Sequence, residues 1–333
     1  MTGKLTTFAV IAYNQIAFID DALQGALVQT YQPLEILVCD DCSGDGTWER
    51  IQEIAAAYRG PHRMRLIRNE RNLGLIGNVN VLFANAQGHY VVVAAGDDIS
   101  LPERTQVLVN ALQAAGPQAL SIVSDATMID EKGAALGLRR GWEHDFPLDA
   151  VHLLRPNVPI CGAAAAYARS LHDDFGPLRA GLWAEDQSLA LRAALKGQAL
   201  YLPRALVKYR RHGANITQPR DQLDQSAAEI ARAIALGCRE NQALFDQKSA
   251  DLDKFLTEGD VDPARAALLR QARDQQRRIL ALQQAMAAHR WRALPRALGW
   301  LLLGQGEKKA MLRWMAALYA PLLWRAYARA RAR

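Results

Sequence analysis

Cysteine is scarce in this chain of 333 residues. The four cysteines are Cys39, Cys42, Cys161 and Cys238, and they are widely separated. A small secreted domain that depends on disulfides carries far more cysteine in far fewer residues. The scarcity therefore excludes a disulfide scaffold and predicts a reducing compartment.

Long apolar runs are missing as well. The first such run, Phe8–Ala12, is shorter than the roughly seven to fifteen apolar residues of a secretory signal. Near the C-terminus the longest uncharged stretch is Trp314–Trp324, which Pro321 interrupts, whereas a membrane-spanning helix needs roughly 20 apolar residues. We expect neither a secretory signal nor a transmembrane segment. The hydrophobic share of 50% is nonetheless enough for a full globular core, which excludes a disordered chain.

A glycine-rich phosphate-binding loop is also lacking. Residues 12–15 (AYNQ) follow the first apolar run, at the place where a Walker or dinucleotide motif requires glycines. Phosphate binding by a glycine loop is therefore excluded. A nucleotidyltransferase is disfavoured for the same reason, since its chemistry uses a glycine-rich loop with Lys or Arg after the first strand.

The chain does contain short apolar runs that alternate with segments of helical spacing. The runs typical of buried strands are 7–12, 34–39, 64–67 and 90–95, and the helical segments between them are 17–29, 48–58 and 77–86. This alternation predicts an α/β fold with a mostly parallel sheet between helices. Further along we expect strands at 121–125 and 206–211, an irregular charged stretch at 136–156, a helix at 184–195 and helices throughout the last third.

Acidic side chains follow two of the predicted strands. Asp40 and Asp41 follow the second strand, and Asp97 and Asp98 follow the fourth. Ligands of open α/β sheets bind at the carboxyl ends of the strands, and carboxylates crowded there repel one another unless a cation compensates them. Oxygen ligands favour Mn²⁺ or Mg²⁺, which complete their coordination with substrate phosphates. The pattern predicts a metal and a nucleoside diphosphate, although solvated loop or helix-capping acids are the alternative, above all for Asp45.

Six segments occur in one order over about the first 215 residues. They are FAVIAYNQ at 8–15, LVCDDCSGDGT at 37–47, NERNLG at 69–74, NAQGHYVVVAAGDD at 85–98, WAEDQSL at 183–189 and YRRHGANIT at 209–217. Together they resemble the inverting family 2 glycosyltransferases of the GT-A fold. The resemblance implies a GT-A nucleotide-sugar-binding domain at 1–219, followed by a helical, basic region at 220–333.

The resemblance also implies which residues bind the nucleotide. They are Ala12, Tyr13, Asn14, Asp40, Asn72 and Asp97. In this interpretation Ala12 and Tyr13 pack on the nucleobase, Asp40 accepts a hydrogen bond from its ring N–H, and Asp97 contacts the ribose. The resemblance implies that this nucleotide carries the sugar to be transferred.

A metal site is implied next to the ribose. Asp98 would hold Mn²⁺ or Mg²⁺, with His212 as a further ligand or a contact to the diphosphate. The family's motif is often Asp-x-Asp-Asp, whereas Ala95 replaces the first Asp here. Arg210 would stabilise the leaving diphosphate.

The general base implied by the resemblance is Asp186. An acid pair such as Glu185-Asp186 is ordinary in the first turn of a helix, so the pair alone does not identify a base. Placed among the ordered motifs, Asp186 is expected to activate the acceptor hydroxyl, whose direct attack inverts the anomeric centre. Glu185 and Trp183 are assigned to the acceptor or diphosphate side, with a place in the core as the alternative for Trp183.

The spacing Cys39-x-x-Cys42 also occurs in thioredoxin-like and zinc sites. A redox pair normally lies at a helix N-terminus without an acid between the thiols, and zinc needs a second pair of ligands nearby. Neither condition is met, so we reject both interpretations.

The C-terminal part is strongly basic. From Arg265 onward, 15 Lys and Arg face two acidic residues, a net charge of +13, whereas residues 1–264 carry −7. Four tryptophans at 291, 300, 314 and 324 among Leu and Arg favour interfacial helices on an anionic membrane. A helical hairpin packed on the catalytic domain is the alternative, and nucleic acid is disfavoured as a partner. Residues 264–288 predict a long helix, for which a short coiled-coil arm is one interpretation.

These observations favour a metal-dependent inverting glycosyltransferase in cell-surface polysaccharide synthesis. Its expected partners are a nucleoside-diphosphate sugar, a saccharide or lipid-linked saccharide acceptor, and an anionic membrane surface. The expected location is the cytoplasm, peripheral to the inner face of the cell membrane. The alternative is a catalytically weak sugar-nucleotide-binding or scaffold protein of a polysaccharide assembly complex, which the missing first Asp of the metal motif suggests.

Overall fold

A computed structural model describes residues 3–142, 148–155, 158, 160–213, 215 and 227–289. The strands in these ranges are β1 (Thr6–Ala12), β2 (Leu34–Asp40), β3 (Arg63–Arg68), β4 (Tyr90–Ala95), β5 (Ile99–Ser100), β6 (Ala119–Ile129), β7 (Ala135–Arg139), β8 (Ala165–Ala168) and β9 (Gln198–Arg210). The α-helices are α1 (Ile19–Leu27), α2 (Thr47–Ala57), α3 (Gly74–Asn85), α4 (Arg104–Ala114), α5 (Ala150–Leu153), α6 (Ser170–Phe175), α7 (Glu185–Lys196), α8 (Ala227–Glu258) and α9 (Pro263–His289).

The strands form one mixed sheet in the order β3-β2-β1-β4-β8-β6-β9-β5, with β7 paired to β6. β3, β2, β1 and β4 are parallel. The apolar runs of β1, β2 and β4 are almost entirely buried, as expected for parallel strands covered on both faces. In this register Ala12 lies beside Asp40, and Ile11 beside Ala95, so the carboxyl ends of three strands meet at one edge of the sheet.

The sheet curls because β4 and β5 are consecutive in the chain but distant in the strand order. Residues Gly96–Asp98, which we call the acid turn, connect them, and β5 then pairs antiparallel with β9. The backbone N–H of Arg210 at the end of β9 donates to Oδ1 of Asp98 (2.8 Å). The acid turn therefore lies where the ends of β1, β4 and β9 converge.

The C-terminal helices pack on the rest of the described fold and on each other. Leu244 and Leu252 of α8 belong to the same hydrophobic core as the sheet. α9 runs antiparallel to α8, because Gln284 bonds to Gln242 near one end of the pair and Arg273 pairs with Asp253 nearer the other. The segment interpreted as a coiled-coil arm thus pairs with α8 of the same chain. The division of the chain at residue 219 stays a prediction, and the two parts share a core.

The structure corrects the sequence-based prediction at several elements. The stretch 136–156 contains β7 and α5, so its prediction as irregular is wrong in part. β7 leaves Leu136 and Leu138 exposed (52% and 57%), so it lacks the apolar burial that marks a strand in sequence. α4 and β8 went unpredicted, and β8 is four residues long with three alanines. Within the described ranges, no helix combines the length and the apolar character needed to cross a lipid bilayer.

Candidate active site

A cleft of about 570 Å³ opens at the edge of the sheet where β1, β2 and β4 end. Ten of the predicted site residues line it: Ala12, Tyr13, Asn14, Asn72, Asp97, Asp98, Trp183, Glu185, Asp186 and His212. Asp40 and Arg210 are not part of its lining. The acid turn and the first turn of α7 therefore face one cavity.

The loop after β1 forms one wall of the cleft. Asn14 has a positive φ of 51°, which asparagine tolerates better than most residues. Its backbone N–H donates to Oγ of Ser43 (2.9 Å), and its Oδ1 accepts from the backbone N–H of Gly44 (2.9 Å). These bonds tie the ends of β1 and β2 together and leave the Tyr13 side chain 46% exposed at the cleft.

Asp40 is turned away from the cleft, and Asp41 lines it instead. The fully buried carboxylate of Asp40 accepts from the backbone N–H of Ser43 (3.0 Å) and from its hydroxyl (2.5 Å). Oδ1 of Asp41 accepts from Nδ2 of Asn69 and from the backbone N–H of Leu73, both at 2.8 Å. The other Asp41 oxygen has no hydrogen-bond partner in the described part of the chain. Successive side chains at a strand end point to opposite sides, which explains the difference.

Asparagines surround Asp41. Nδ2 of Asn69 also donates to Oδ1 of Asn78 (3.1 Å), whose own Nδ2 donates to the carbonyl of Cys39 (3.0 Å). Asn72 lines the cleft as predicted, and its Oδ1 accepts from the backbone N–H at the start of α3 (2.8 Å). Asn78 lines the cleft too, although the sequence motifs did not include it.

The acid turn contains a buried carboxylate oxygen that no described residue contacts by a hydrogen bond. Oδ2 of Asp97 lies 2.9 Å from Nε2 of His212 and 3.2 Å from Nδ2 of Asn215. Oδ1 of Asp98 accepts from the backbone of β9, whereas its Oδ2 is buried without a hydrogen-bond partner in the described ranges. Burial, and then the charge of Asp97, raise the pKa of Asp98 well above its usual range. A cation at Oδ2 would relieve this cost.

The donor set at the acid turn fits a divalent cation that arrives with its substrate. Among the described residues, no three His, Cys, Asp or Glu side chains are grouped closely enough to hold a metal by themselves. Mg²⁺ commonly uses one or two carboxylates together with substrate phosphates. Such a partial set is provided by Oδ2 of Asp98 together with His212, whose Nε2 lies against the carboxylate of the adjacent Asp97.

Arg210 connects the surrounding elements instead of lining the cleft. Its guanidinium group donates to the carboxylate of Asp21 (2.7 Å) and to the carbonyls of Glu131 (2.8 Å) and Asp97 (2.9 Å). These contacts use the three guanidinium nitrogens, and the Arg210 side chain does not line the cleft.

Arg139 of β7 supplies a guanidinium group at the cleft. It lies over the ring of Tyr209, 4.5 Å from the ring centroid, and both residues line the cavity. Sequence analysis missed Arg139 because its strand was not predicted and no motif includes it.

Glu185 and Asp186 begin α7 and line the cleft, where Asp186 reaches solvent. Oδ2 of Asp186 accepts from the backbone N–H of Gly162 (3.1 Å), and Oδ1 accepts from that of Gln187 (2.7 Å). Burial, and then repulsion by Asp186, raise the pKa of Glu185. Burial also raises the pKa of Asp186, but the two N–H donors oppose the shift. The two backbone N–H donors thus favour the carboxylate form of Asp186, whereas burial and the charge of Asp186 favour the protonated form of Glu185.

Two further side chains bear on alternatives weighed from the sequence. Trp183 lies on the wall of the cleft, and its buried indole N–H has no hydrogen-bond partner among the described residues. Cys39 is buried inside β2, and burial raises the pKa of its thiol to about 12, which is unsuited to redox chemistry.

Comparisons with known proteins identify the class. Residues 7–176 match the model of the family described as Glycosyl transferase family 2. The uncharacterized protein Mb1547 of Mycobacterium bovis is 28% identical over 304 residues, which cover 86% of each chain. The UDP-Glc:alpha-D-GlcNAc-diphosphoundecaprenol beta-1,3-glucosyltransferase WfaP of Escherichia coli is 34% identical over 95 residues, 28% of this chain and 36% of WfaP. The structure of the mannosyltransferase PcManGT from Pyrobaculum calidifontis, in complex with GDP-Man and Mn²⁺, has a TM-score of 0.53 at 19% identity and covers 97% of this chain and 88% of its own.

The curled mixed sheet, with its acid turn at the strand ends, is a GT-A glycosyltransferase fold followed by a helical C-terminal region. The family model spans just over half of the chain, and the chain belongs to glycosyl transferase family 2. The fold and the family predicted from sequence are confirmed.

Proposed function

We propose that this protein transfers a sugar, with inversion, from a nucleoside-diphosphate sugar to a saccharide acceptor in cell-surface polysaccharide synthesis. One observation carries the proposal: the acid turn and the Asp186 carboxylate face the same cleft, beside the exposed Tyr13. A nucleotide, a charged diphosphate and an acceptor hydroxyl can then meet in one cavity.

The nucleoside occupies the β1–β2 side of the cleft in this proposal. The ring of Tyr13 packs on the base, and Asp97 accepts a hydrogen bond from the ribose. Asp41 accepts the hydrogen bond of the base ring N–H, which replaces our expectation for Asp40. The available Asp41 oxygen in the cleft supports this change, whereas both Asp40 oxygens are bonded to Ser43.

The acid turn would hold Mn²⁺ or Mg²⁺. Asp98 would be the first ligand and His212 the second, and the Mn²⁺ in the PcManGT complex supports the choice of metal. When bound, the ion neutralises negative charge that develops on the departing diphosphate.

Arg139 takes the diphosphate contact that was expected of Arg210. A guanidinium group forms paired hydrogen bonds to phosphate oxygens, and such donors stabilise charge that develops during the reaction. Stacking on Tyr209 holds Arg139 in the cleft.

Asp186 is the general base. Its carboxylate removes the proton of the acceptor hydroxyl while the hydroxyl oxygen attacks the anomeric carbon from the face opposite the diphosphate. The new C–O bond forms as the bond from the anomeric carbon to the phosphate oxygen breaks, and the nucleoside diphosphate leaves with that electron pair. One displacement inverts the anomeric centre without a covalent enzyme intermediate.

The acceptor lies beside Trp183 and Glu185. The Trp183 side chain lines this part of the cleft, and burial favours the protonated form of Glu185, which offers a hydrogen-bond donor to a saccharide hydroxyl. WfaP is named for a lipid-linked saccharide acceptor, which supports the same class of acceptor here.

A donor panel tests this function. UDP-glucose, UDP-GlcNAc and GDP-mannose are each incubated with the full chain and Mn²⁺, and thermal stabilisation, hydrolysis and product configuration are recorded. We expect one donor to raise the melting temperature of the protein and to be turned over. The product of transfer should have the inverted anomeric configuration. If the unmutated chain binds nucleotide but turns over none of the donors, the scaffold alternative is favoured.

The roles of Asp40 and Asp41 predict different mutant behaviour. Asp41→Asn retains the oxygen that holds Asn69 and Leu73 but presents an N–H to the base. A hydrogen bond to a charged group contributes roughly 1.5 to 3 kcal/mol, so UDP or GDP affinity is expected to fall about 10- to 100-fold, with or without Mn²⁺. Asp40→Asn should instead lower the melting temperature with little change in affinity. Calorimetry that shows the reverse pattern would restore Asp40 to the base contact.

The basic C-terminal part predicts membrane association. Residues 290–333, which contain the four tryptophans, lie outside the described residues, so the alternatives of membrane contact and hairpin packing stay predictions. The protein is expected to be cytoplasmic and to sediment with phosphatidylglycerol vesicles, because each basic residue near an anionic surface contributes about 1 kcal/mol. Salt should weaken this binding.

Truncation after residue 289 separates the two alternatives. The shortened chain is expected to retain nucleotide binding and to lose vesicle binding. A full chain that ignores the vesicles at low salt, with a truncated chain that unfolds, would favour hairpin packing.

A further inference from the structure

Lys248 is a buried cation outside the motifs of the catalytic region. It lies on α8, and its side chain is almost completely enclosed. Its ammonium group donates to the carbonyl of Arg155 (2.6 Å) and to Oε1 of Gln187 (3.2 Å). Both acceptors are neutral, and no carboxylate lies within ion-pair distance in the described part of the chain. Burying an unpaired ammonium group costs free energy, so its position calls for a compensating charge nearby.

The carboxylate of Asp186, the residue before Gln187 in the sequence, provides that charge. The backbone N–H of Gln187 donates to Asp186 (2.7 Å), and its Oε1 also accepts from the backbone N–H of Val158 (3.1 Å). Lys248 and Val158 thus hold the Gln187 side chain while its backbone holds the Asp186 carboxylate. Burial lowers the pKa of Lys248 to about 7, and the negative charge of Asp186 opposes that shift.

Two neighbours of Lys248 anchor α8 against this region. Oε1 of Gln247 accepts from the backbone N–H of Arg179 (2.9 Å), in the segment that leads to α7. Asp251 forms a bidentate ion pair with the buried Arg192 of α7 (2.9 and 3.0 Å). Together these contacts hold α8 against α7 and against the segment before it.

We propose that Lys248 is a positioning residue for Asp186: it fixes the first turn of α7 through Gln187, and its charge favours the carboxylate form of Asp186. This inference rests on the proposed function, in which Asp186 is the base. It assigns α8, which lies beyond the residues of the family match, a part in the reaction.

Five titratable or charged groups face Asp186 in the described ranges, Lys248 among them. They are Glu185 on α7, Arg139 on β7, Cys161 before the turn at 162–164, Tyr167 on β8 and Lys248 on α8. Glu185 opposes ionisation of Asp186, whereas Lys248 and Arg139 favour it. Removing the charge of Lys248 leaves Arg139 as the remaining cation of this set, so the pKa of Asp186 is expected to rise.

A titration of Asp186 tests the inference without any donor or acceptor. In the full chain, aspartate labelled with ¹³C at the side-chain carboxyl is followed by NMR against pH, and Asp186→Asn identifies the signal. Lys248→Met keeps most of the side-chain volume but removes the charge. It is expected to raise the midpoint by about one pH unit, since a nearby opposite charge shifts a carboxyl pKa by roughly one to three units. Lys248→Gln, which keeps a donor for the Arg155 carbonyl, provides the same measurement if the methionine variant does not fold.

Asp251→Asn is the matched control, because it weakens the contact between α7 and α8 without touching Lys248. It should lower the melting temperature and leave the Asp186 midpoint in place. If the Lys248 variants also lower the melting temperature without moving the Asp186 midpoint, Lys248 has a structural role alone and the inference is overturned.

The proposed function is tested separately by the turnover of Asp186→Asn. Loss of turnover in that variant leaves the proposed function intact even if the Lys248 inference fails. Full activity of Asp186→Asn overturns the proposed function itself.

Discussion

Asp186→Asn is expected to lower sugar transfer by roughly 10² to 10⁴-fold, the usual contribution of a general base. Asparagine preserves the shape of the side chain, and its amide oxygen can still accept from Gly162 or Gln187. It cannot remove a proton from the acceptor hydroxyl. The affinity for the donor should stay unchanged, because the proposed nucleotide contacts are made at the other side of the cleft. Turnover is measured with the donor that the panel identifies, and donor affinity by calorimetry.

Glu185→Gln provides the matched control for this prediction. Burial and the neighbouring carboxylate raise the pKa of Glu185, so its neutral form is favoured, and glutamine resembles that neutral form. We therefore expect a smaller loss of activity than in Asp186→Asn. Near-normal transfer by Asp186→Asn, together with inactivity of Glu185→Gln, would assign the base to Glu185 instead.

Much of the fold could be predicted because its strands are short apolar runs buried on both faces. Tyr90–Ala95 is the clearest case, since the predicted and observed bounds agree and the acid turn follows directly. β7 could not be predicted because it is exposed at the side of the sheet, and its pattern is set by pairing with β6. β8 is short and mostly alanine, so its burial follows from tertiary packing alone.

Residues of the candidate site could be predicted where acidic side chains directly follow a recognisable strand, as Asp97 and Asp98 do. They could not be predicted where the direction of a side chain decides whether it faces the cleft. Asp40 and Asp41 are chemically identical neighbours, and only the position at which β2 ends determines which carboxylate faces the cleft. Lys248 shows a further limit, because composition predicts a helix there but does not reveal which surface that helix covers.

The second large effect is expected at the acid turn. Asp98→Asn retains an acceptor for the backbone N–H of Arg210 but loses the second carboxylate oxygen, which no described residue contacts by a hydrogen bond. If Asp98 holds the metal, binding of UDP or GDP in Mn²⁺ should fall by more than about 100-fold, since loss of an outer-sphere partner alone typically costs 10- to 100-fold in metal affinity. Calorimetry with Mn²⁺ and with EDTA measures the metal-dependent part of the affinity.

The two conditions also separate Asp98 from Asp41. In EDTA, the Asp98→Asn and wild-type chains should bind the nucleotide with similar weak affinity, because the metal link to the diphosphate is absent from both. Asp41→Asn should be weaker than wild type in both conditions, because its contact is to the base. A wild-type affinity that is the same in EDTA as in Mn²⁺ would show that the metal contributes nothing to binding. The positive charge at the diphosphate would then have to come from protein side chains such as Arg139, which lines the cleft.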